Sequence, residues 1–333
     1  MNGLEERFES CADAARRWGI SDRRVRELAV FGKIPGAFHL GKLWKIPRGA
    51  PKPSDGRATR AQGIPAELDA LFAEIATLKA DLDARRPLTD GECRRLREAF
   101  LVDYTHASTA IEGNTLTLSE TALALAGVTI AQKPLKDHLE AIGHRDAFCF
   151  LEETVRAGEP LTERFVRQLH ALVLADQPRD RGVYRRIPVV ITGAVHTPPQ
   201  PYLVEPKMEE WVRALAATRL NPIVAAARFH IRFEAIHPFI DGNGRTGRLL
   251  ANFTLMRAGY LPVSVKYESR AAYYAAFTAA HAAEDDVPMI RLFAEAEREA
   301  LKSRLEVLEK APSAPTAGFN GNRENGMPDD GER

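Results

Sequence analysis

HPFIDGNGRTGRLL, residues 237–250, brings one histidine, one acid, three glycines and two arginines close together. The stretch before it, NPIVAAARFHIRFEAI, has apolar residues at helical spacing, and its alanines favour helix over strand. The stretch after it, LLANFTLMRAGY, repeats that spacing and stops at Gly259. We therefore predict a loop between two apolar helices. Packing does not require this composition, whereas handling a polyphosphate beside a nucleophile does.

The glycines of this loop spell G-x-G-x-x-G, the fingerprint of dinucleotide-binding proteins, with Gly242, Gly244 and Gly247. Glu268 also follows about twenty residues later, as that fingerprint expects. A dinucleotide-binding loop, however, must follow a buried β-strand, and this loop follows a helix. We exclude the dinucleotide fold but retain phosphate binding, because bare amides at a helix N-terminus attract anions.

Charged side chains surround those amides. Arg245 and Arg248 lie one helical turn apart and can present two planar sets of donors to phosphate oxygens. Asp241 is the single carboxylate beside them, and one carboxylate with substrate phosphates and water is a common magnesium arrangement. His237, before the rigid Pro238, is the candidate base near neutral pH. Each residue alone is more often structural, and only the combination favours catalysis.

The segment HPFIDGNGRTGR is similar to the signature of the Fic family, His-Pro-Phe-x-(Asp/Glu)-Gly-Asn-Gly-Arg-x-x-Arg, at every fixed position. The resemblance extends from about residue 90 to 300 and includes GVYRR before the loop and AAYYAAF after it. It implies a mainly α fold, with a helical core and a small β-hairpin flap. The usual reaction of the family moves AMP from ATP to a Ser, Thr or Tyr hydroxyl of a target protein. The resemblance therefore implies a protein adenylyltransferase with ATP as substrate and Mg²⁺ as cofactor.

The resemblance assigns a role to each part of the loop. His237 would take the proton from the target hydroxyl, Asp241 would hold Mg²⁺ between the α- and β-phosphates, and Arg248 would bind the γ-phosphate. The backbone of residues 242–244 would line an anion hole, with Arg245 beside it stabilising transition-state charge. The full set of expected ATP-binding residues is Asp241, Gly242, Asn243, Gly244, Arg245, Thr246, Gly247, Arg248, Tyr273, Tyr274 and His281.

Donor choice depends on a few of these positions. Gly244 is retained where the phosphorylating branch of the family carries a bulkier basic residue, which favours AMP transfer. Tyr273 and Tyr274 resemble tyrosines near the nucleoside, and the alternative for each is a core aromatic. His281 stands where many relatives carry Asn against the adenine, which leaves the base preference open. Phosphocholine and UMP transfer also occur on this loop, so the donor is inferred by analogy.

The stretch IPVVITGAVHTPPQPYLV interrupts the helical pattern with β-branched runs on either side of Gly and Pro-Pro, which predicts a hairpin. It corresponds to the family's flap, whose exposed edge would align an extended target segment by main-chain pairing. Without the loop motif, a solvent-exposed hairpin of no special function would be favoured. The expected target-contacting residues are Ile191, Thr192, Gly193, Ala194 and Val195.

STAIEGN, residues 108–114, ends a predicted helix well before the loop. Ser108 and Glu112 are four apart and share a face, and an acid at a helix C-terminus is unfavourable unless a cation pairs with it. The segment resembles the Fic inhibitory motif, (Ser/Thr)-x-x-x-Glu-(Gly/Asn), with Ser108, Glu112 and Gly113 in register. In that family the Glu pairs with the last motif arginine, here Arg248, and in some relatives it positions water that removes AMP. An ordinary helix end is the alternative.

The first sixty residues carry 13 Lys/Arg against 7 Asp/Glu, whereas the whole chain has a net charge of +1. Within them, CADAARRWG and DRRVRELAVFG predict two short helices across a Gly-containing turn, with Ser21 capping the second, and AFHLGKLWKIP predicts a small hairpin wing. This unit resembles the excisionase-like winged helix-turn-helix group. Arg23, Arg24 and Arg26 begin its second helix, where a recognition helix meets DNA. A protein-docking module with a solvated basic face is the alternative.

The predicted divisions of the chain are a winged helix-turn-helix head at 1–50, a linker at 51–64, a Fic domain at 65–310, and a disordered tail at 311–333. Within the Fic domain we expect an inhibitory helix at about 89–113 and a core at about 160–300. Three cysteines without a pairing framework, no signal peptide and no membrane-spanning stretch favour the cytoplasm. The expected partners are a target protein, DNA and, from the resemblance, a second copy of the chain. The alternative function is a DNA-binding regulator whose Fic body senses nucleotide or mediates dimerisation.

Overall fold

The computed structural model describes residues 7–30, 34–41, 43–52, 62–85, 87–191, 193 and 195–310. Several sequence predictions lie outside these residues. They are most of the linker (53–61), the flap residues Thr192 and Ala194, and the tail (311–333).

The described part of the head contains two short helices and a small sheet. Its elements are β1 (Phe8–Ser10), α1 (Cys11–Trp18), α2 (Asp22–Val30), β2 (Phe38–Leu40) and β3 (Leu43–Pro47). The strands are antiparallel in the order β1–β3–β2. Ser10 begins α1 through a capping box with Asp13, and Gly19 ends it in the left-handed region. Ser21 begins α2, because its hydroxyl accepts from the Arg24 N–H. The two predicted helices and the hairpin after them are present, whereas the excisionase resemblance stays a prediction.

The rest of the described chain is helical, so the predicted mainly α fold is confirmed. Its helices are α3 (Asp69–Ala84), α4 (Asp90–Ile111), α5 (Leu118–Leu125), α6 (Leu135–Arg156), α7 (Glu163–Val173), α8 (Val204–Ala217), α9 (Pro222–Ile236), α10 (Asn243–Arg257), α11 (Arg270–Ala283) and α12 (Val287–Lys310). Single 3₁₀ turns at Ala66–Leu68, Pro201–Leu203 and Tyr267–Ser269 precede α3, α8 and α11.

Helices α9 and α10 form the central pair of the body, and they contribute to two apolar cores. One core contains Ile223 and Val224 of α9 and Leu255 of α10, together with residues of α3, α11 and α12. The other contains Phe229 and Phe233 of α9 and residues of α6, α7, α8 and α10. Because neighbours bury both faces of this pair, the loop between α9 and α10 is held at a fixed place in the fold. The apolar spacing that predicted these two helices is confirmed.

Helix α4 begins at a strong cap and ends at the predicted acid. The Thr89 hydroxyl accepts from the Glu92 N–H and the Glu92 carboxylate accepts from the Thr89 N–H, which completes a capping box. The helix ends at Ile111, and Glu112 is its C-cap residue. The helix that we predicted at about 89–113 thus spans Asp90–Ile111, and its inhibitory role stays a prediction.

The predicted β-hairpin flap is wrong for the described residues between 187 and 200, none of which is in a strand. Pro188, Pro198 and Pro199 have no N–H to donate to a ladder. The carbonyls of Ile187 and Pro199 accept instead from the Arg185 guanidinium. Farther along, the end of the predicted hairpin is helical, because it forms the 3₁₀ turn and the start of α8.

Within the described residues, no helix combines the length and the apolar character that a bilayer crossing requires.

Candidate active site

The loop between α9 and α10 is closed by its own hydrogen bonds. His237 ends α9 in the left-handed region with φ 48°, and its N–H donates to the Phe233 carbonyl at 3.0 Å. Left-handed backbone at a non-glycine residue is strained and is often found at functional sites. The Asn243 side chain then accepts from the Phe239 N–H and donates to the Phe239 carbonyl, each at 2.9 Å. Gly242, with φ 75°, makes the turn into α10.

Arg185 holds this loop from behind. Its side chain is 2 % exposed, and its Nε donates to the His237 carbonyl at 2.7 Å. The two terminal nitrogens donate to the carbonyls of Ile187, Pro199 and Ile236. Among the described residues no carboxylate forms an ion pair with this guanidinium, and burial lowers the pKa of Arg185. Arg185 therefore donates its hydrogen bonds to backbone carbonyls, and these bonds connect His237 to both ends of the segment 187–199.

The surroundings of His237 favour a neutral imidazole. Its side chain is 19 % exposed, and its Nδ1 lies 3.7 Å from Glu234 Oε2. Burial is the main cause that lowers the pKa of His237 to about 4, and Arg185 adds to the effect. At neutral pH the ring therefore carries no charge. Since Nδ1 is buried, Nε2 is the ring nitrogen left to face the cavity and accept a proton.

Asp241 faces the same space as a carboxylate. It accepts from the Gly242 N–H at 2.5 Å and from Gln177 Nε2 at 3.0 Å, and Arg245 lies 3.2 Å away. Burial works to raise the pKa of Asp241, but Arg245 and the Gly242 N–H outweigh it and lower the pKa below its ordinary value. No group of three or more His, Cys, Asp or Glu side chains with metal-binding geometry occurs within the described residues. One ionised carboxylate of this kind fits Mg²⁺ only when substrate phosphates and water complete the coordination.

Arg248 is the most constrained cation of the site. It is 2 % exposed and lies on α10, one turn after Arg245. Its Nη2 donates to Glu112 Oε1 at 2.8 Å and to the Ser108 carbonyl at 2.7 Å. Its Nε donates to the Ser108 hydroxyl at 2.9 Å, and its Nη1 donates to the Tyr273 hydroxyl at 3.3 Å. The acid predicted to need a cation thus lies against the second arginine of the loop.

These groups surround a cavity of about 180 Å³. Its lining residues are Glu112, Ile191, Glu234, His237, Ile240, Asp241, Gly242, Asn243, Gly244, Arg248, Tyr273, Tyr274 and Phe277. Drug-sized ligands usually occupy cavities of about 300–1,000 Å³, so this space is small for a whole nucleoside triphosphate. Gly244 lies so close to the Glu112 carboxylate that a Cβ on Gly244 would clash with it. A larger cavity of about 960 Å³ lies between α4, α12 and residues 261–269, and no residue of the 237–248 loop lines it.

The remaining loop residues that we predicted to bind ATP lie beneath the cavity. Arg245 is 2 % exposed and pairs with Glu140 at 3.3 Å as well as with Asp241. Thr246 is fully buried. A Cβ on Gly247 would lie 2.6 Å from Glu234 Oε1, so α10 needs glycine there to pass close to α9. Direct contacts of these three residues with a nucleotide stay predictions.

The aromatic residues expected near the nucleoside occupy different environments. Tyr273 is 1 % exposed and its hydroxyl lies 2.6 Å from His230 Nε2, so it joins the buried network around Arg248. Tyr274 is 41 % exposed and lies under the Arg270 guanidinium at the rim. His281 stacks on His196, with ring centroids 4.7 Å apart, and is outside the cavity lining.

The flap residues that the structure describes also differ from one another. Ile191 lines the cavity, and Val195 is 62 % exposed. Gly193 adopts φ 79°, a left-handed conformation that suits a turn. Contact of any of them with a target stays a prediction.

Some site residues were missed by sequence reasoning. They are Glu140, His170, Gln177, Arg185 and Glu234. His170 supports the loop, because its Nε2 lies 2.9 Å from the Asp241 carbonyl while its Nδ1 accepts from the Gly182 N–H. The sequence offered one indication of Glu234. His230 and Glu234 are four residues apart, so they share a face of a predicted helix that is otherwise apolar. The other four depend on distant parts of the chain.

The fold and the site define a mainly α protein with a glycine-containing loop that leads into a helix N-terminus. Residues 160–255 match the Fic/DOC family model. The chain is 32 % identical over 254 residues to the protein adenylyltransferase Fic of Drosophila melanogaster, which covers 74 % of this chain and 51 % of that protein. The chain therefore belongs to the Fic/DOC family, through the domain that contains this loop.

Solved structures agree with this assignment. A Fic domain containing signaling protein from Bacteroides thetaiotaomicron superposes with a TM-score of 0.65 at 27 % identity, over 73 % of this chain and 98 % of that chain. Fic-1 from C. elegans superposes with a TM-score of 0.64 at 29 % identity, over 72 % of each chain. The chain spans about half the length of the curated relatives it matches.

We predict that Arg185→Lys lowers the free energy of unfolding by about 1.5–3 kcal/mol, the usual worth of hydrogen bonds to a charged group. A lysine has one nitrogen and cannot reach four carbonyls on two segments. Urea denaturation measures the change, and Arg186→Lys at the exposed neighbouring position is the control. We expect the control to stay within about 0.5 kcal/mol of the native protein. Equal stability of both variants would contradict the role of Arg185 in holding the loop.

Proposed function

We propose that this protein transfers AMP from ATP to a Ser, Thr or Tyr hydroxyl of a target protein. The observation that carries the proposal is the arrangement of a neutral imidazole, a carboxylate and a buried arginine around bare amides at the start of α10. Those amides lack intrahelical partners and lie at the positive end of the helix dipole, where phosphate oxygens bind. Curated relatives carry the name protein adenylyltransferase, which supports the same reaction.

His237 acts as the general base in this reaction. The hydroxyl oxygen forms a bond to the α-phosphorus, and the bond between that phosphorus and the pyrophosphate oxygen breaks. The hydroxyl proton passes to His237 Nε2 and from there to solvent. The histidine is neutral at pH 7, and the reaction uses the tautomer in which Nε2 carries no proton. The amides of residues 242–244 stabilise the negative charge on the α-phosphate as it develops.

Asp241 is the residue that would hold Mg²⁺ with the phosphates. Its pKa lies below the ordinary value, so it is ionised whenever ATP is bound near neutral pH. A bound magnesium ion would neutralise phosphate charge at this point. Gln177 and the Gly242 N–H keep the carboxylate oriented toward the cavity.

We further propose that Glu112 inhibits the reaction in cis. Its carboxylate occupies the guanidinium of Arg248, the group that would bind the γ-phosphate. The cavity that Glu112 helps to line, about 180 Å³, is below the usual range for pockets of drug-sized ligands. ATP must therefore displace Glu112 before its α-phosphate can align with His237. Removal of AMP by water positioned on Glu112 is a further prediction from the family, as is homodimerisation.

We predict that His237→Ala lowers the rate of AMP transfer by about 10²–10⁴, the usual contribution of a general base, and largely retains ATP binding. The histidine contributes to the transition state more than to the phosphate contacts. Labelled ATP measures transfer and calorimetric titration measures binding, with Arg248→Ala as the variant expected to lose binding. A loss of binding as large as that of Arg248→Ala would assign a structural role to His237.

We predict that Glu112→Gly raises the initial rate of AMP incorporation, self-modification included, by about tenfold or more. A tenfold rise corresponds to about 1.4 kcal/mol, the free energy by which Glu112 would compete with the γ-phosphate for Arg248. Arg248 keeps its hydrogen bonds to Ser108 and Tyr273 in this variant, so the fold should survive. Thermal unfolding checks the fold. An unchanged or lower rate in a folded variant would mean that Glu112 does not inhibit.

A rise in modification has a second cause that the measurement must separate. If Glu112 mainly supports AMP removal, its loss slows the decay of pre-modified protein and leaves the forward rate unchanged. Initial rates and decay rates are therefore measured on the same preparations.

A second function, DNA binding, is proposed for the head. Arg23, Arg24 and Arg26 are 90 %, 48 % and 62 % exposed at the start of α2. Glu27 pairs with the first two and Asp22 with the third, so the arginines are held on one exposed face of the helix but are partly neutralised. The pair of short helices and the hairpin after them support a winged helix-turn-helix reading of this unit. The alternative function, a DNA-binding regulator with a nucleotide-sensing body, would require this activity.

We predict that the full chain binds duplex DNA with a steep salt dependence. The double variant Arg23→Glu and Arg24→Glu should reduce the slope of log binding constant against log salt concentration by about two, since each lost phosphate contact reduces that slope by about one. Lys207→Glu with Arg213→Glu on α8 makes the same change in net charge and is the control. Fluorescence anisotropy at several salt concentrations measures the binding. Absence of DNA binding at low salt would favour the protein-docking alternative.

A further inference from the structure

A buried acid, Glu234, lies behind the loop histidine and has no part in the function proposed above. It is on the last turn of α9, with 14 % of its side chain exposed. Its Oε2 lies 3.7 Å from His237 Nδ1, and its Oε1 is buried without a hydrogen-bond partner among the described residues. His237 Nδ1 is likewise buried, and a hydrogen bond with the Glu234 backbone acts to raise the pKa of His237 against the effect of burial. The unpaired Oε1 lies toward position 247, whereas Oε2 is the oxygen near His237. An unpaired buried polar atom costs free energy, so Oε1 calls for an explanation.

The neighbouring helix fixes Glu234 in this place. A Cβ on Gly247 would lie 2.6 Å from Glu234 Oε1 and 2.8 Å from the His230 ring. Any side chain at position 247 would therefore displace Glu234 from behind His237. The last glycine of the loop motif thus serves the acid on α9, and through it the histidine.

The ionisable groups that face Glu234 are His230 and His237 on or just after its own helix, Glu112 on α4, Arg248 on α10 and Tyr273 on α11. Burial raises the pKa of Glu234 to about 8, with Glu112 adding to the rise and Arg248 opposing it. Burial lowers the pKa of His230 to about 3, so this second histidine stays neutral across the physiological range. Arg248 is thus the only cation in this set at pH 7, and Glu112 already pairs with it.

We propose that Glu234 is a positioning residue for His237, a role that rests on the proposed function. Its carboxylate accepts a hydrogen bond from the Nδ1–H and so leaves Nε2 as the nitrogen that takes the hydroxyl proton. The separation of 3.7 Å is slightly longer than a hydrogen bond, and catalytic hydrogen bonds often tighten only in the substrate complex. When Nε2 takes the proton, the carboxylate stabilises the positive charge on the ring.

The protonation of Glu234 selects the tautomer of His237. A protonated Glu234 donates to Nδ1, which puts the ring proton on Nε2 and prevents that nitrogen from acting as a base. An ionised Glu234 accepts from Nδ1–H and has the opposite effect. Because the negative charge of Glu112 favours the protonated form, the inhibitory residue acts at two points: it occupies Arg248 and it holds His237 in the unproductive tautomer. Its departure ionises Glu234 at a lower pH.

The first test uses no nucleotide and no activity. ¹⁵N NMR reports the tautomer of a neutral histidine, and the His237 signals are identified by their loss in His237→Ala. In the wild type we expect the ¹⁵N chemical shifts to show that the ring proton moves from Nε2 to Nδ1 as the pH rises, with a midpoint near pH 8. In Glu112→Gly we expect the same change with a lower midpoint. In Glu234→Gln we expect no such change between pH 6 and 9. A pH-dependent tautomer that persists in Glu234→Gln would overturn the proposal.

The second test measures transfer in the Glu112→Gly background, where the forward reaction is strongest. We expect Glu234→Gln to lower kcat by about 10- to 100-fold, part of the 10²–10⁴ that the base itself supplies, and to change KM for ATP by less than about twofold. Glu268→Gln, at an exposed position outside the site, is the matched control. An unchanged kcat overturns the proposal. If Glu112→Gly itself transfers no AMP, the proposed function fails, and the NMR result decides the role of Glu234 alone.

Discussion

The ion pair between Arg248 and Glu112 is the interaction on which the rest of the site depends. A guanidinium that is 2 % exposed must have its donors satisfied, and Ser108 and Glu112, at the end of α4, accept three of the four hydrogen bonds that the Arg248 guanidinium donates. Helix α4 is therefore tied to the start of α10 at the point where a phosphate would bind. A second connection joins the chain just after α4 to α10, because Asn114 donates to Glu140 and Glu140 pairs with Arg245. Both loop arginines are thus committed to protein partners.

The geometry of the loop follows from the helices on either side. Helices α9 and α10 are buried on both faces, so their ends cannot move apart. The chain between them must turn within six residues, and it does so through left-handed backbone at His237 and Gly242. Strain at a non-glycine residue persists only where the surroundings hold it. Arg185 provides that support through the carbonyls of Ile236 and His237.

Sequence reasoning succeeded where the signal was local. The loop between two apolar helices followed from periodicity, and the pairing of Glu112 with a cation followed from the sign of the helix dipole. It failed at residues 187–200, because β-branched residues predicted strands while the ladder donors were missing at Pro188, Pro198 and Pro199. It also missed Arg185, whose carbonyl partners come together only in the folded chain. The conformation of residues 187–200 and the position of Arg185 both depend on tertiary contacts, which no local sequence pattern predicts.

The two acids of the site make unequal use of Arg248. Glu112 and Glu234 both face Arg248, and one guanidinium can compensate only one buried carboxylate well. In the arrangement described here Glu112 pairs with Arg248, and burial raises the pKa of Glu234 to about 8, with the charge of Glu112 adding to the rise and Arg248 opposing it. Any ligand that removes Glu112 from Arg248 changes the charge balance around Glu234 at the same time. Under the two proposals above, occupancy of the phosphate subsite and protonation of Glu234 would therefore be linked through Arg248, without any movement of the loop itself.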